Sequence, residues 1–201
     1  MRSVNPLVRP ALVARVPVAA GETITQALRA DHNAVRALIR RVLANPTLAR
    51  SLYPRISNDL KRHSHAEEQT YYSALARIPA MREQIRLMQR EHASLAAMLR
   101  RLDGTAYEHP VWMSRFLAAK NALTKHLLFE EDRVFPESEQ LLTPAQQRIL
   151  ASRYRAMMAG PGRRAPAARV VPGRRLAGRR LLRRPRGLWD AAVDLIFPVD
   201  R

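Results

Sequence analysis

The chain has 201 residues, 35 basic and 17 acidic, with a formal net charge of +18 and no cysteine. Disulfide frameworks, cysteine-ligated zinc, iron–sulfur clusters and cysteine nucleophiles are thereby excluded, so a bound metal must be held by His, Asp, Glu or Tyr. The 47% apolar content suffices for one packed core, and no uninterrupted apolar run approaches the ~18 residues of a membrane span.

Residues 1–21 read as an irregular lead-in, because Arg9, Pro10, Arg15 and Pro17 interrupt any signal-peptide core, and a cytoplasmic protein is predicted. Residues 22–159 carry apolar positions at steps of three and four, the mark of amphipathic helices. The first seam runs Leu28, His32, Val35, Ile39, Val42 and ends at Asn45-Pro46. The second runs Ile56, Leu60, His63, Glu67, Tyr71, Leu75 and ends at Ile78-Pro79; Pro54 is expected to delay its helix to about residue 55. The third is the most regular, with Met81, Ile85, Met88, His92, Leu95, Leu99 and Leu102 closed by Asp103-Gly104. The fourth, after His109-Pro110, reads Trp112, Phe116, Ala119, Leu123, His126, Glu130. Thr143-Pro144 announces a fifth, shorter helix to about residue 159, with Thr as N-cap and Pro at the first helical position.

No segment alternates with period two. The predicted fold is all-α: an antiparallel up-down-up-down four-helix bundle with a short additional C-terminal helix and a basic disordered tail. That tail is 160–187, with ten arginines, no acid, and several Pro and Gly. It reads as a solvated linker, either inert in a chain where Arg outnumbers Lys 32 to 3 or in weak electrostatic contact with nucleic acid or an acidic surface. Residues 188–201 form a short amphipathic segment in which Leu188, Trp189, Val193 and Phe197 share one face.

The informative residues are polar ones on apolar seams: His32, His63, Glu67, His92, His126 and Glu130. An ionised carboxylate in a dry core costs several kcal/mol unless compensated. His63 with Glu67 and His126 with Glu130 are both His-x-x-x-Glu, one helical turn apart on one face, so both side chains can converge on one ion. In an antiparallel hairpin, two residues share a level when the turn falls midway between them. The midpoints of 32 and 63, 63 and 92, and 92 and 126 are 47.5, 77.5 and 109, each beside a proline break. The four histidines are therefore expected in one inward-facing layer, and four imidazoles with two carboxylates suit a pair of iron ions, with manganese or zinc as lesser options. The spacing differs from the Glu-x-x-His of ferritin-type bundles.

Asp31-His32, His63-Ser-His-Ala-Glu67-Glu68, Glu91-His92 and His126-Leu-Leu-Phe-Glu130-Glu131 with Phe135-Pro136 resemble the motifs of the hemerythrin-like (HHE cation-binding) family over roughly residues 23–140. The resemblance implies a non-haem, oxo- or hydroxo-bridged di-iron centre, with His32, His63, His92 and His126 as terminal ligands and Glu67 and Glu130 as bridges. It also implies O2, H2O2 or NO as the small ligand. Oxygen carriers of the family have a second His one turn from that of the third helix; here Met88 and Ala96 stand at those positions. Dioxygen carriage is thereby put in doubt. Catalase- or peroxidase-like chemistry, NO-related chemistry, and an iron- or oxygen-responsive regulatory role working through the basic tail stay open. Tyr71, on the second seam, is a candidate to reach the missing position, or else a core aromatic. His65, about 200° from His63, is expected to face away, and Glu68 and Glu131 to be solvated or to support the ligands.

Overall fold

The computed structural model describes residues 21–159, and every regular element among them is helical. The expectations for 160–187 and 188–201, and for all but the last residue of the lead-in, lie outside the described residues.

Helix α1 (Ile24–Ala44) opens on a capping box in which the Thr23 hydroxyl accepts from the Gln26 N–H and the Gln26 side chain accepts from the Thr23 N–H. A single 3-10 turn, Pro46–Leu48, leads directly into α2 (Ala49–Glu67). The delay expected from Pro54 does not occur, because Pro54 lies inside α2. Pro54 and Arg50, whose carbonyl loses its helical donor, both sit on the solvent face where water can satisfy that group. Meanwhile Ala49, Tyr53 and Ile56 are buried and hold the turn in place.

Beyond Glu67 the helix does not stop. A π-helical turn, Glu68–Tyr72, continues into the short α3 (Ser73–Leu75). Ile78 is extended, and Pro79–Met81 starts the next helix, α4 (Arg82–Asp103). The pattern then repeats: α5 (Trp112–Phe129) passes through a second π turn, Glu130–Val134, into α6 (Phe135–Leu141). Helix α7 (Pro144–Ala159) begins with Thr143 and Gln146 exchanging the same pair of capping bonds as Thr23 and Gln26.

Helix α1 packs on α2 and α7, α4 packs on α5, and α2 touches α4 and α7. The apolar core of this helical bundle falls into two clusters. One gathers residues from both ends of the described chain, with Leu28, Leu75, Ile85, Met88, Phe135 and Tyr154 among its members. The other contains Ile39, Tyr53, Ile56, Leu99, Trp112 and Phe116. The gap between them is filled by buried polar side chains.

Candidate metal centre

His32, His63, Glu67, His92, His126 and Glu130 are all buried, both glutamates completely. The helical seams bring them to one level from four helices. Two triads emerge whose ligand atoms lie within 4.8 Å of one another: His32, His63 and Glu130, and Glu67, His92 and His126. The carboxylates span these triads. Glu130 Oε2 lies 3.4 Å from His32 Nε2 and 3.5 Å from His126 Nε2. Glu67 Oε2 lies 3.5 Å from both His63 Nε2 and His92 Nε2. Each carboxylate therefore addresses one imidazole of either triad, which is the placement a bridging ligand needs.

The outward nitrogens of the four rings are all engaged. Nδ1 of His32 donates to Glu131 Oε1 at 2.8 Å, Nδ1 of His92 to Glu68 Oε1 at 2.9 Å and Nδ1 of His126 to Glu91 Oε2 at 2.9 Å. An ionised carboxylate only accepts, so these partners assign the proton to Nδ1 and leave Nε2 a bare lone pair facing inward. The fourth ring obeys the same rule through one intermediary: Tyr154 donates its hydroxyl to Asp31 Oδ2 at 2.7 Å and accepts from His63 Nδ1 at 2.7 Å. The acids are anchored in turn, Glu131 by a two-pronged contact from Arg36 (2.8 and 3.1 Å) and Asp31 by Arg155 at 2.8 Å.

Inside, acceptors face acceptors. Nε2 of His92 and of His126 stand 3.0 Å apart. Nε2 of His32 and of His63, both oxygens of Glu67 and Oε2 of Glu130 are buried without any hydrogen-bond partner. Buried polar atoms are almost always paired, so this convergence of lone pairs on one spot fits a cation. The residues present suit iron or another transition metal of mixed imidazole and carboxylate preference.

A family profile for the hemerythrin HHE cation-binding domain matches residues 23–138, more than half of the sequence. The chain belongs to that family. In fold it is similar to the crystal structure of a hemerythrin HHE cation-binding domain-containing protein from Mycobacterium kansasii, with a TM-score of 0.61 and 22% identity. That alignment covers 69% of this chain and 86% of the other. No curated protein matches it in a sequence comparison.

Within this hemerythrin-family centre the two carboxylates differ. Burial, and then the negative Glu130 beside it, hold the Glu67 carboxyl well above the ordinary carboxylate range. For Glu130 the same burial is outweighed by the His126, His32 and His63 imidazoles and the Tyr72 hydroxyl, which bring it down to about 2. Burial, with His32 next, pulls His63 down to about 3, and burial with His126 lowers His92. The signs set a pH profile for the metal-free protein. His63 and His92 contribute stability that is lost as pH falls below the unfolded value of 6.5, and Glu130 contributes stability lost as pH falls below 4.5. Glu67 acts oppositely, favouring the folded state as pH falls towards 4.5 and ceasing to do so below it. Thermal melts in the presence of chelator should therefore show a shallow loss between pH 6.5 and 4.5. The slope should be steeper below that, because Glu130 joins the histidines and Glu67 no longer offsets them. A uniform slope over the whole range would contradict these assignments.

Of the two readings open for Tyr71, the core aromatic holds, and its neighbour Tyr72 takes the place at the centre. Tyr71 bonds Ser138 Oγ at 2.6 Å, away from the ligands. It is Tyr72 that donates its hydroxyl to Glu130 Oε1 and lays its ring 5.2 Å from that of His92. The cause is the π turn. Its i→i+5 bonding inserts one residue after Glu67, so the seam that runs 63, 67 arrives at 72 rather than 71. Burial, and then Glu130, keep the Tyr72 pKa well above its ordinary value, so the hydroxyl keeps its proton for that bond. Replacing Tyr72 with Phe strips a buried acceptor of its donor and is expected to weaken metal retention by ~10–100-fold in a chelator competition. Tyr71→Phe should leave retention unchanged.

Of the remaining candidates, His65 and His109 are exposed. Glu68 and Glu131, set aside in the sequence as solvated or supporting, both hold ligand imidazoles. Glu91, Asp31 and Tyr154 hold the other two and had no assignment; a carboxylate directly preceding His32 and His92 was the available signal for Asp31 and Glu91. The centre is reached from two sides. A cleft of about 320 Å³ with a mixed lining runs past Asp31, Asp59 and Arg62 to His32 and His63. A larger apolar cavity meets His63, His92 and His126.

Proposed function

We propose that this hemerythrin-family protein holds two iron ions in an antiparallel up-down-up-down four-helix bundle and binds or reacts with a small oxidant, O2, H2O2 or NO. His32 and His63 would hold one ion and His92 and His126 the other, with Glu67 and Glu130 as the carboxylates shared between them. One observation supports this above all: four imidazoles turn bare Nε2 atoms inward while each carboxylate faces one imidazole of either triad. A bound iron pair supplies reversible redox and Lewis-acid chemistry for a small oxygen or nitrogen ligand. The chain supplies the rest. Glu131, Glu68, Glu91 and Tyr154 orient the rings, Tyr72 holds Glu130 and keeps a proton beside the centre, and the tightly packed cluster around Leu75, Ile85 and Met88 closes one end of the layer. The His-poor third helix, with Met88 and Ala96 in place of a further ligand, leaves a position for water or the incoming molecule.

The test is metal analysis by mass spectrometry on protein purified after growth in iron, with an absorption spectrum and additions of O2, H2O2 and NO to separate samples. Two irons per chain, near-ultraviolet absorption of a bridged pair, and a spectral response to at least one addition are expected. Fewer than one metal ion per chain would overturn the reading. Among the described residues no helix is long and apolar enough to cross a membrane.

A further inference from the structure

The apolar cavity between α2, α4 and α5 measures about 450 Å³. A void of about 150 Å³ already accommodates benzene, so this one is far larger than any diatomic or hydrogen peroxide requires. Its inner wall is formed by Ile39, Ile56, Leu99, Phe116 and Leu123. The void leaves a trace in the core: Leu95 stays 9% exposed, Leu99 and Ala119 6%, whereas Leu75, Ile85 and Met88 across the metal layer are at 0%. The opening lies where α2 and α4 face each other, since exposed Lys61 and His65 of the one and exposed Gln89 and Ala93 of the other share its lining. Ala93 and Ala96 are the small residues that keep α4 from closing it.

Charge at the lining is selective. The chain has only three lysines, and two of them, Lys61 and Lys120, line this cavity. Lys61 is paired with Asp103 at 2.7 Å, and Glu68 is taken up by His92. Lys120 donates to its neighbour Asn121 at 2.9 Å and has no carboxylate partner among the described residues. A mostly apolar pocket of several hundred Å³ with one available cation is a site for an amphiphile of opposite charge.

We propose that the cavity binds an unbranched aliphatic carboxylate, its chain among Ile56, Leu99, Phe116 and Leu123 and its carboxylate on Lys120. The assignment stands apart from which metal the centre holds, and binding can be measured without reference to any reaction. Calorimetric titration of the full-length, metal-loaded protein with decanoate should give saturable binding of one molecule per chain. Lys120→Ala is expected to weaken decanoate at least about tenfold while leaving decan-1-ol unchanged. Ala96→Phe, which sets a ring in the opening, should weaken both by about as much. Equal affinity for decanol and decanoate in the unaltered protein would overturn the carboxylate assignment. Decanoate binding that survives both substitutions would place the ligand outside this cavity and overturn the site, as would no saturable binding of either compound. Should Ala96→Phe fail to fold, as judged by its melting curve, the Lys120→Ala titrations and the decanol comparison decide.

Discussion

Stripping the metal from the purified protein with a chelator at neutral pH is expected to lower its thermal midpoint by roughly 15 °C. Five buried ligand atoms, on His32, His63, Glu67 and Glu130, have no partner within the protein. Each orphaned buried atom costs on the order of 1–3 kcal/mol, so at least about 5 kcal/mol rests on the cation. For a domain of this length 1 kcal/mol moves the midpoint by about 3 °C. Rings fixed by Glu131, Glu68, Glu91 and Tyr154 cannot swing out to find solvent, and that rigidity converts missing coordination into lost stability. Differential scanning calorimetry before and after chelation, with re-addition of ferrous iron, measures the effect. A midpoint indifferent to chelator would show that the polar layer needs no ion.

Glu130→Ala is expected to be the most damaging single substitution, reducing metal content from two ions per chain to fewer than about one half. Its Oε2 faces His32 of one triad and His126 of the other, and its Oε1 takes the Tyr72 hydroxyl, so its loss opens both triads and orphans a phenol. Removing one partner of a buried charged set costs about 3–5 kcal/mol. Alanine at Glu131, the next residue in sequence but facing the outside of His32, should retain metal with affinity weakened ~10–100-fold. Metal content by mass spectrometry, paired with a melting curve for each variant, separates the two. Equal retention by Glu130→Ala and Glu131→Ala would contradict a bridging role for Glu130.

The same comparison shows which parts of the centre a sequence can announce. His63 and Glu67, or His126 and Glu130, are four apart on a helix, and that spacing is a local angle that any amphipathic pattern reports. The proline breaks set heights along the bundle, so the level shared by His32, His63, His92 and His126 follows from chain length alone. All-helical class and membership of the hemerythrin HHE family rest on the same information.

What needed the tertiary structure is everything that crosses between helices or breaks their period. Glu131 holds His32 from 99 residues away, Tyr154 holds His63 from 91, and no spacing rule links them. That Tyr72 rather than Tyr71 meets Glu130 depends on an i→i+5 turn that the apolar pattern does not report. Pro54 was overruled inside α2 because burial of Ala49, Tyr53 and Ile56 outweighs one hydrogen bond ceded to water. The cavity beside His92 is likewise a property of how α2 and α4 meet at Ala93 and Ala96. Periodicity determines which way a side chain points from its own helix; only packing determines what it meets there.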